Sequence, residues 1–172
     1  MSTTAEPATL SDVQIYQHQA GMTQGVIRAN TAGLTHEDSL VQPQPDGNCL
    51  NFIIGHVVNV YDKVLPLVGQ EPVMGDAVHR YERGAPPLRD PAEAVQLSDL
   101  LAAFDTQTER FKAGLATLTP EALERPMPGP NSKGELTETV RSLLGTILFH
   151  QAYHAGQTGV LRRIIGKPGA IP

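Results

Sequence analysis

The sequence holds one cysteine, Cys49, in 172 residues. That excludes an internal disulfide and any Cys-x-x-Cys metal site, and it fits a reducing compartment. No stretch approaches 18 consecutive apolar residues, so no membrane-spanning helix is expected. The opening MSTTAEPATL lacks the positive n-region and apolar h-region of a secretory signal, and a cytoplasmic protein is the expectation. Positive charge is also short. Thirteen Lys and Arg against 18 Asp and Glu give a formal net charge of −5, so there is no basic field to attract a polyanion, and nucleic acid is not an expected partner. Neither internal repeats nor low-complexity tracts occur.

What is present suits one domain with a substantial core, since 40% of the residues are hydrophobic. Residues 1–10 read as a disordered tail and 11–172 as a single domain. Ser11 with Gln14 has capping-box spacing, Leu10 and Ile15 stand where a hydrophobic staple would place them, and Gly33 is a plausible stop for this first helix. A second helix runs through NCLNFIIGHVVNVYDKVLPLVG, its apolar face formed by Leu50, Ile53, Val57, Val60 and Val64. The segment Gly69 to Leu97, with four prolines, is too long for a hairpin turn and would let helices two and three run parallel in a four-helix bundle. His79, Arg80 and Tyr81 in this segment could line a pocket, although an exposed loop patch is the default. Ser98 is the expected cap of helix three, with a seam at Leu101, Phe104, Thr108, Phe111, Leu115 and Leu118. Glu109 beside that seam is expected to be a solvated charge. The fourth helix is expected from about Thr137 or Glu138 to Ile165, with Gly166 and Pro168 as stops. Arg162, Arg163 and Lys167 at its end suit the helix dipole.

The chain is organised around that fourth helix. Its core-facing seam reads Leu136, Val140, Leu143, Ile147, His150, His154, Gln157, Leu161 and Ile164, in steps of four and three. Two imidazoles one turn apart have Cβ atoms about 6 Å from each other and can converge on one ion. A buried imidazole without a partner costs roughly 1–3 kcal/mol, so a pair of them needs either a shared cation or a hydrogen-bonded network. His56 points inward from helix two and draws its weight from that pair. His18 is expected to face solvent, and Cys49 to be core.

Asn51, the Gly55-His56 pair, and the H-x3-H-x-G-Q pattern of His150, His154, Gly156 and Gln157 together resemble the DinB/YfiT-like superfamily, over about Ser11 to Pro168. The resemblance implies an all-α four-helix bundle with an up-down-down-up course, often a homodimer, holding one divalent metal through His56, His150 and His154. It also implies small-molecule substrates, with low-molecular-weight thiols used by some members as co-substrates of transferases. Where several family sequences carry a basic residue between the last histidine and the Gly-Gln pair, this chain has Ala155.

Three neutral imidazoles leave the charge of a divalent ion uncompensated and coordination positions open, as in a hydrolase or a thiol S-transferase. Imidazole alone does not select the metal, and zinc or nickel is favoured. The pattern is not that of a zincin, because Gln151 stands where H-E-x-x-H needs its glutamate. No acid or base can be named from the sequence. Gln157, one turn past His154, is the candidate to hydrogen-bond a histidine ring or a metal-bound water. The competing expectation is a non-catalytic bundle used for metal or small-molecule binding, sensing, sequestration or dimerisation.

Overall fold

The computed structural model describes residues 10–129 and 132–171. The expected tail thus lies outside the described residues apart from Leu10, which is exposed. Helix α1 (Asp12–Thr31) opens on the expected capping box: the Ser11 N–H donates to Gln14 Oε1 at 2.8 Å, and the Gln14 N–H donates to Ser11 Oγ at 3.3 Å. It closes before Gly33, whose φ of +71° is the left-handed conformation that ends a helix without a Cβ penalty. A single turn, α2 (His36–Ser39), precedes α3 (Leu50–Val64). Thirteen of the 15 residues of α3 are buried, so it is an internal helix with more than the one apolar face expected of it.

The crossover from Gly69 to Gln96 contains 3-10 turns at Gly75–Tyr81 and Pro91–Glu93. Helix α4 (Leu97–Leu115) starts two residues earlier than expected, with Gln96 as its N-cap, and Ser98 is not the cap. Its inward set includes Leu97 and Leu100, with Leu101 only partly buried. The reason is that α4 packs against both α1 and α3, which turns two faces inward.

After α5 (Pro120–Leu123), strand β1 (Pro126–Pro128) pairs antiparallel with β2 (Leu136–Thr139), Met127 opposite Glu138. Residues 136–139 are therefore extended, and α6 runs Val140–Ile164, starting later than the sequence pattern indicated. Thr139 ends the strand and caps the helix, accepting from the Ser142 N–H at 3.2 Å.

Side-chain pairings fix the helix directions. Tyr16 donates to the Arg141 carbonyl and Asn30 to Thr158 Oγ1, so α1 and α6 are parallel. Gln17 reaches the carbonyl of Lys112, and Gln24 reaches Asp105, so α4 runs opposite to α1. Asn51 near the start of α3 bonds Val95 just before α4, so those two are parallel. The result is the up-down-down-up four-helix bundle, and no helix among the described residues is long and apolar enough to cross a membrane.

The seam of α6 is displaced from the expected line. Its buried residues are Val140, Leu143, Leu144, Leu148, Gln151, Ala155, Thr158 and Leu161; Val140, Leu143 and Leu161 of the expected line are therefore buried, and between them the inward line runs one residue later, at Leu148, Gln151, Ala155 and Thr158. Leu136 and Ile164 are exposed, and His150 and His154 lie half-buried on the flank of the core line.

Candidate metal centre

The flank position of His150 and His154 turns both rings toward α3, where His56 is buried. Nε2 of His56 lies 3.2 Å from Nε2 of His150, which lies 3.1 Å from Nε2 of His154. The three candidate ligand atoms fall within 4.8 Å of one another. A tetrahedral ion with metal–nitrogen bonds of about 2.0–2.1 Å holds its ligand atoms about 3.4 Å apart, so small ring rotations bring these three to coordination distance.

The proton inventory points the same way. Nδ1 of His56 is 2.8 Å from the Tyr81 carbonyl oxygen, which can only accept, so Nδ1 carries the proton and Nε2 presents a lone pair. Nδ1 of His154 is 2.7 Å from Gln157 Oε1, giving the same tautomer and again a free Nε2. His150 Nε2 faces both and can donate to only one, while its Nδ1 is buried with no hydrogen-bond partner among the described residues. A cation accommodates three converging lone pairs, and a proton shared by two of the rings does not. Burial, with His154, His56 and the Arg83 guanidinium adding to it, pushes His150 down to about 4. Burial also lowers His154, against the opposing effect of the hydrogen bond that its Nδ1–H donates to Gln157. Both are therefore neutral near pH 7, the form that binds metal.

The remaining sequence candidates fall apart from this group. His18 is exposed. Cys49 is buried as the N-cap residue of α3 and outside the cluster, and burial pushes its thiol up. Glu109 is exposed and pairs with Lys112. The loop triplet divides: His79 is exposed beside Glu82, Arg80 pairs with Glu93, and Tyr81 is wholly buried against the site. Tyr81 is the residue whose part the sequence did not reveal. The available signal was the polar set Asn51, Asn59 and Asp62 inside an otherwise apolar helix, which needs partners from another segment.

Along from Gln157, a groove of about 410 Å³ is lined by Ile53, Val160, Leu161 and Ile164 with Asn48 and Pro43. No carboxylate joins the three histidines among the described residues. The site therefore combines three neutral donors with a buried inner side, and the apolar groove adjoins it through Gln157.

The family model of the DinB superfamily matches residues 19–158. A conserved protein from Enterococcus faecalis, known from its crystal structure, superposes with a TM-score of 0.71 at 15% identity, covering 92% of this chain and 100% of that one. YfiT from Bacillus subtilis, described as a probable metal-dependent hydrolase with an unusual four-helix bundle topology, superposes with a TM-score of 0.65 at 18% identity, covering 95% of each chain. At such identities the likeness is one of fold. No curated protein matches the sequence.

Proposed function

We propose that this chain, which belongs to the DinB superfamily, is a metal-dependent enzyme whose His56, His150 and His154 hold one divalent ion, zinc or nickel. The observation that carries the reading is the convergence of three Nε2 atoms, two of the pairs at 3.1 and 3.2 Å, from rings whose other nitrogens, in His56 and His154, are already committed. An ion held there supplies Lewis acidity and lowers the pKa of a water or thiol that it binds. Hydrolysis or thiol S-transfer of a small molecule is the matching chemistry. The description of YfiT as a probable metal-dependent hydrolase supports the first of these.

The chain's own residues hold and orient. His56 and His154 stay in the Nδ1–H tautomer through the Tyr81 carbonyl and Gln157. Gln151, next to His150 in sequence, is fully buried and donates to the Val57 carbonyl at 3.2 Å. It thereby ties α6 to α3 one residue beyond each of the two facing histidines. The apolar groove beyond Gln157 suits a substrate with a hydrophobic portion. The proposal includes pairing of two copies, because Met22 of α1 and Phe149 of α6, which line one shallow depression, are 59% and 73% exposed.

Elemental analysis of the purified protein beside a His150→Ala, His154→Ala double variant tests the reading. About one equivalent of transition metal per chain, lost in the variant, is the expected result. Absence of metal from both, after incubation with zinc and with nickel, would overturn it.

A further inference from the structure

The crossover is fastened to α3 along one ridge of that helix, Asn51, Gly55, Asn59 and Asp62, spaced four, four and three residues apart. At its far end the buried Asp62 carboxylate accepts from the N–H groups of Val73, Met74 and Gly75 at 2.6, 2.8 and 2.8 Å. Asn59 Nδ2 donates to the Val78 carbonyl at 3.1 Å. At Gly55 the Tyr81 ring lies so close that an added Cβ would overlap it, so only glycine admits the ring there. The Tyr81 hydroxyl donates to Asn51 Oδ1 at 2.8 Å and accepts from the Val95 N–H at 2.8 Å. Asn51 Nδ2 completes the loop by donating to the Val95 carbonyl at 3.0 Å. The ridge ends by delivering a backbone oxygen: the Tyr81 carbonyl sits 2.8 Å from His56 Nδ1.

We propose that Tyr81 is a positioning residue for the three-histidine site: its carbonyl fixes His56 as the Nδ1–H tautomer with Nε2 aimed at His150 and His154, and its ring and hydroxyl hold that carbonyl in place. The purpose of this arrangement rests on the metal reading above, but the arrangement itself does not. A carbonyl accepts and cannot donate, so it selects one tautomer. A partner on the second ring nitrogen both orients a ligating imidazole and raises its basicity. The hydroxyl is engaged on both sides, once as donor and once as acceptor, and phenylalanine reproduces neither bond. Asn51 and Gly55 acquire a role through this contact: one anchors the hydroxyl and the other makes room for the ring.

The test begins with the metal-free protein, labelled with ¹⁵N-histidine, using long-range ¹H–¹⁵N spectra to read each ring's tautomer. His56 of the wild type is expected as a single Nδ1–H form. In Tyr81→Phe its signals shift toward an Nε2–H or exchange-averaged form, and zinc affinity, measured by competition with a chromophoric chelator, falls about tenfold or more. Tyr61→Phe, which deletes a different buried hydroxyl, leaves both readouts unchanged. An Nε2–H or averaged His56 in the wild type would overturn the inference, as would Tyr81→Phe with wild-type tautomer and wild-type zinc affinity. If the wild type bound no zinc, the metal reading would fall and the tautomer measurements alone would decide this one. If Tyr81→Phe did not fold, the wild-type spectrum would remain decisive.

Discussion

With its imidazole pushed down to about 4, His150 makes the metal-free fold sensitive to acid. The folded-state pKa values of His150 and His154 lie below the ordinary 6.5, so as pH falls the unfolded chain binds protons first. Stability is then complete above about pH 6.5 and is lost progressively toward about pH 4. In the presence of a chelator, Tm is expected to fall through that window, and the fall should be shallower in His150→Ala. A flat or rising wild-type Tm between about pH 6.5 and 5 would contradict the assignment. Gln157→Ala removes the acceptor from His154 Nδ1 and is expected to weaken zinc binding about tenfold, while leaving the metal-free Tm nearly unchanged because the side chain is only partly buried. At this scale the three histidines and Gln157 were visible in the sequence, because two of them repeat at a helical spacing and the third interrupts an apolar helix. Tyr81 was named only within a loop triplet that could line a pocket: it follows Ala77, Val78, His79 and Arg80 in a proline-rich loop, and nothing local tells a buried loop tyrosine from an exposed one.

Helix ends were legible where a side chain both starts the helix and bonds its free N–H groups. Ser11 was recognised by its partner Gln14. Thr139 was overlooked, because residues 136–139 continue the apolar pattern of α6 while pairing with β1. Thr139→Ala should cost about 1 kcal/mol, read as a lower urea midpoint with an unchanged slope. Asp62 has a larger effect, since it terminates three backbone N–H groups and the Gln107 amide at 2.7 Å. Asp62→Ala strands these donors in a largely dry position and is expected to destabilise by about 3 kcal/mol. It should also raise hydrogen exchange at residues 73–75, and unchanged exchange there would argue against the crossover being fastened through this carboxylate. The angular error in α6 belongs to this scale too. The expected line and the buried line Leu148, Gln151, Ala155 and Thr158 both advance in steps of three and four, so periodicity does not choose between two lines one residue, about 100°, apart on the helix. The histidines thereby moved from the middle of the core to its flank, where a site can meet both the interior and an incoming ligand.

For the molecule as a whole, a metal bridging α3 and α6 binds the folded state alone and should stabilise it by mass action. At a free zinc concentration a hundredfold above Kd the gain is about 2.7 kcal/mol, seen as a rise in Tm that a chelator reverses and that the His150→Ala, His154→Ala variant does not show. Equal zinc-induced shifts in wild type and variant would place the binding elsewhere. The proposed pairing of copies is tested by sedimentation: a dimer that dissociates in Phe149→Glu is expected, and a monomeric wild type would remove it. The sequence by itself determined that four main helices form, where a long crossover intervenes, and which histidines are set apart, because periodicity, caps and chain breakers act over a few neighbouring residues. Tertiary structure decided which side of α6 faces the core and which loop residue reaches His56. The contacts responsible join residues 25 to 94 positions apart, such as Tyr81 with His56 and Gln151 with Val57. Pairings at that distance depend on how the helices dock, which no local pattern encodes.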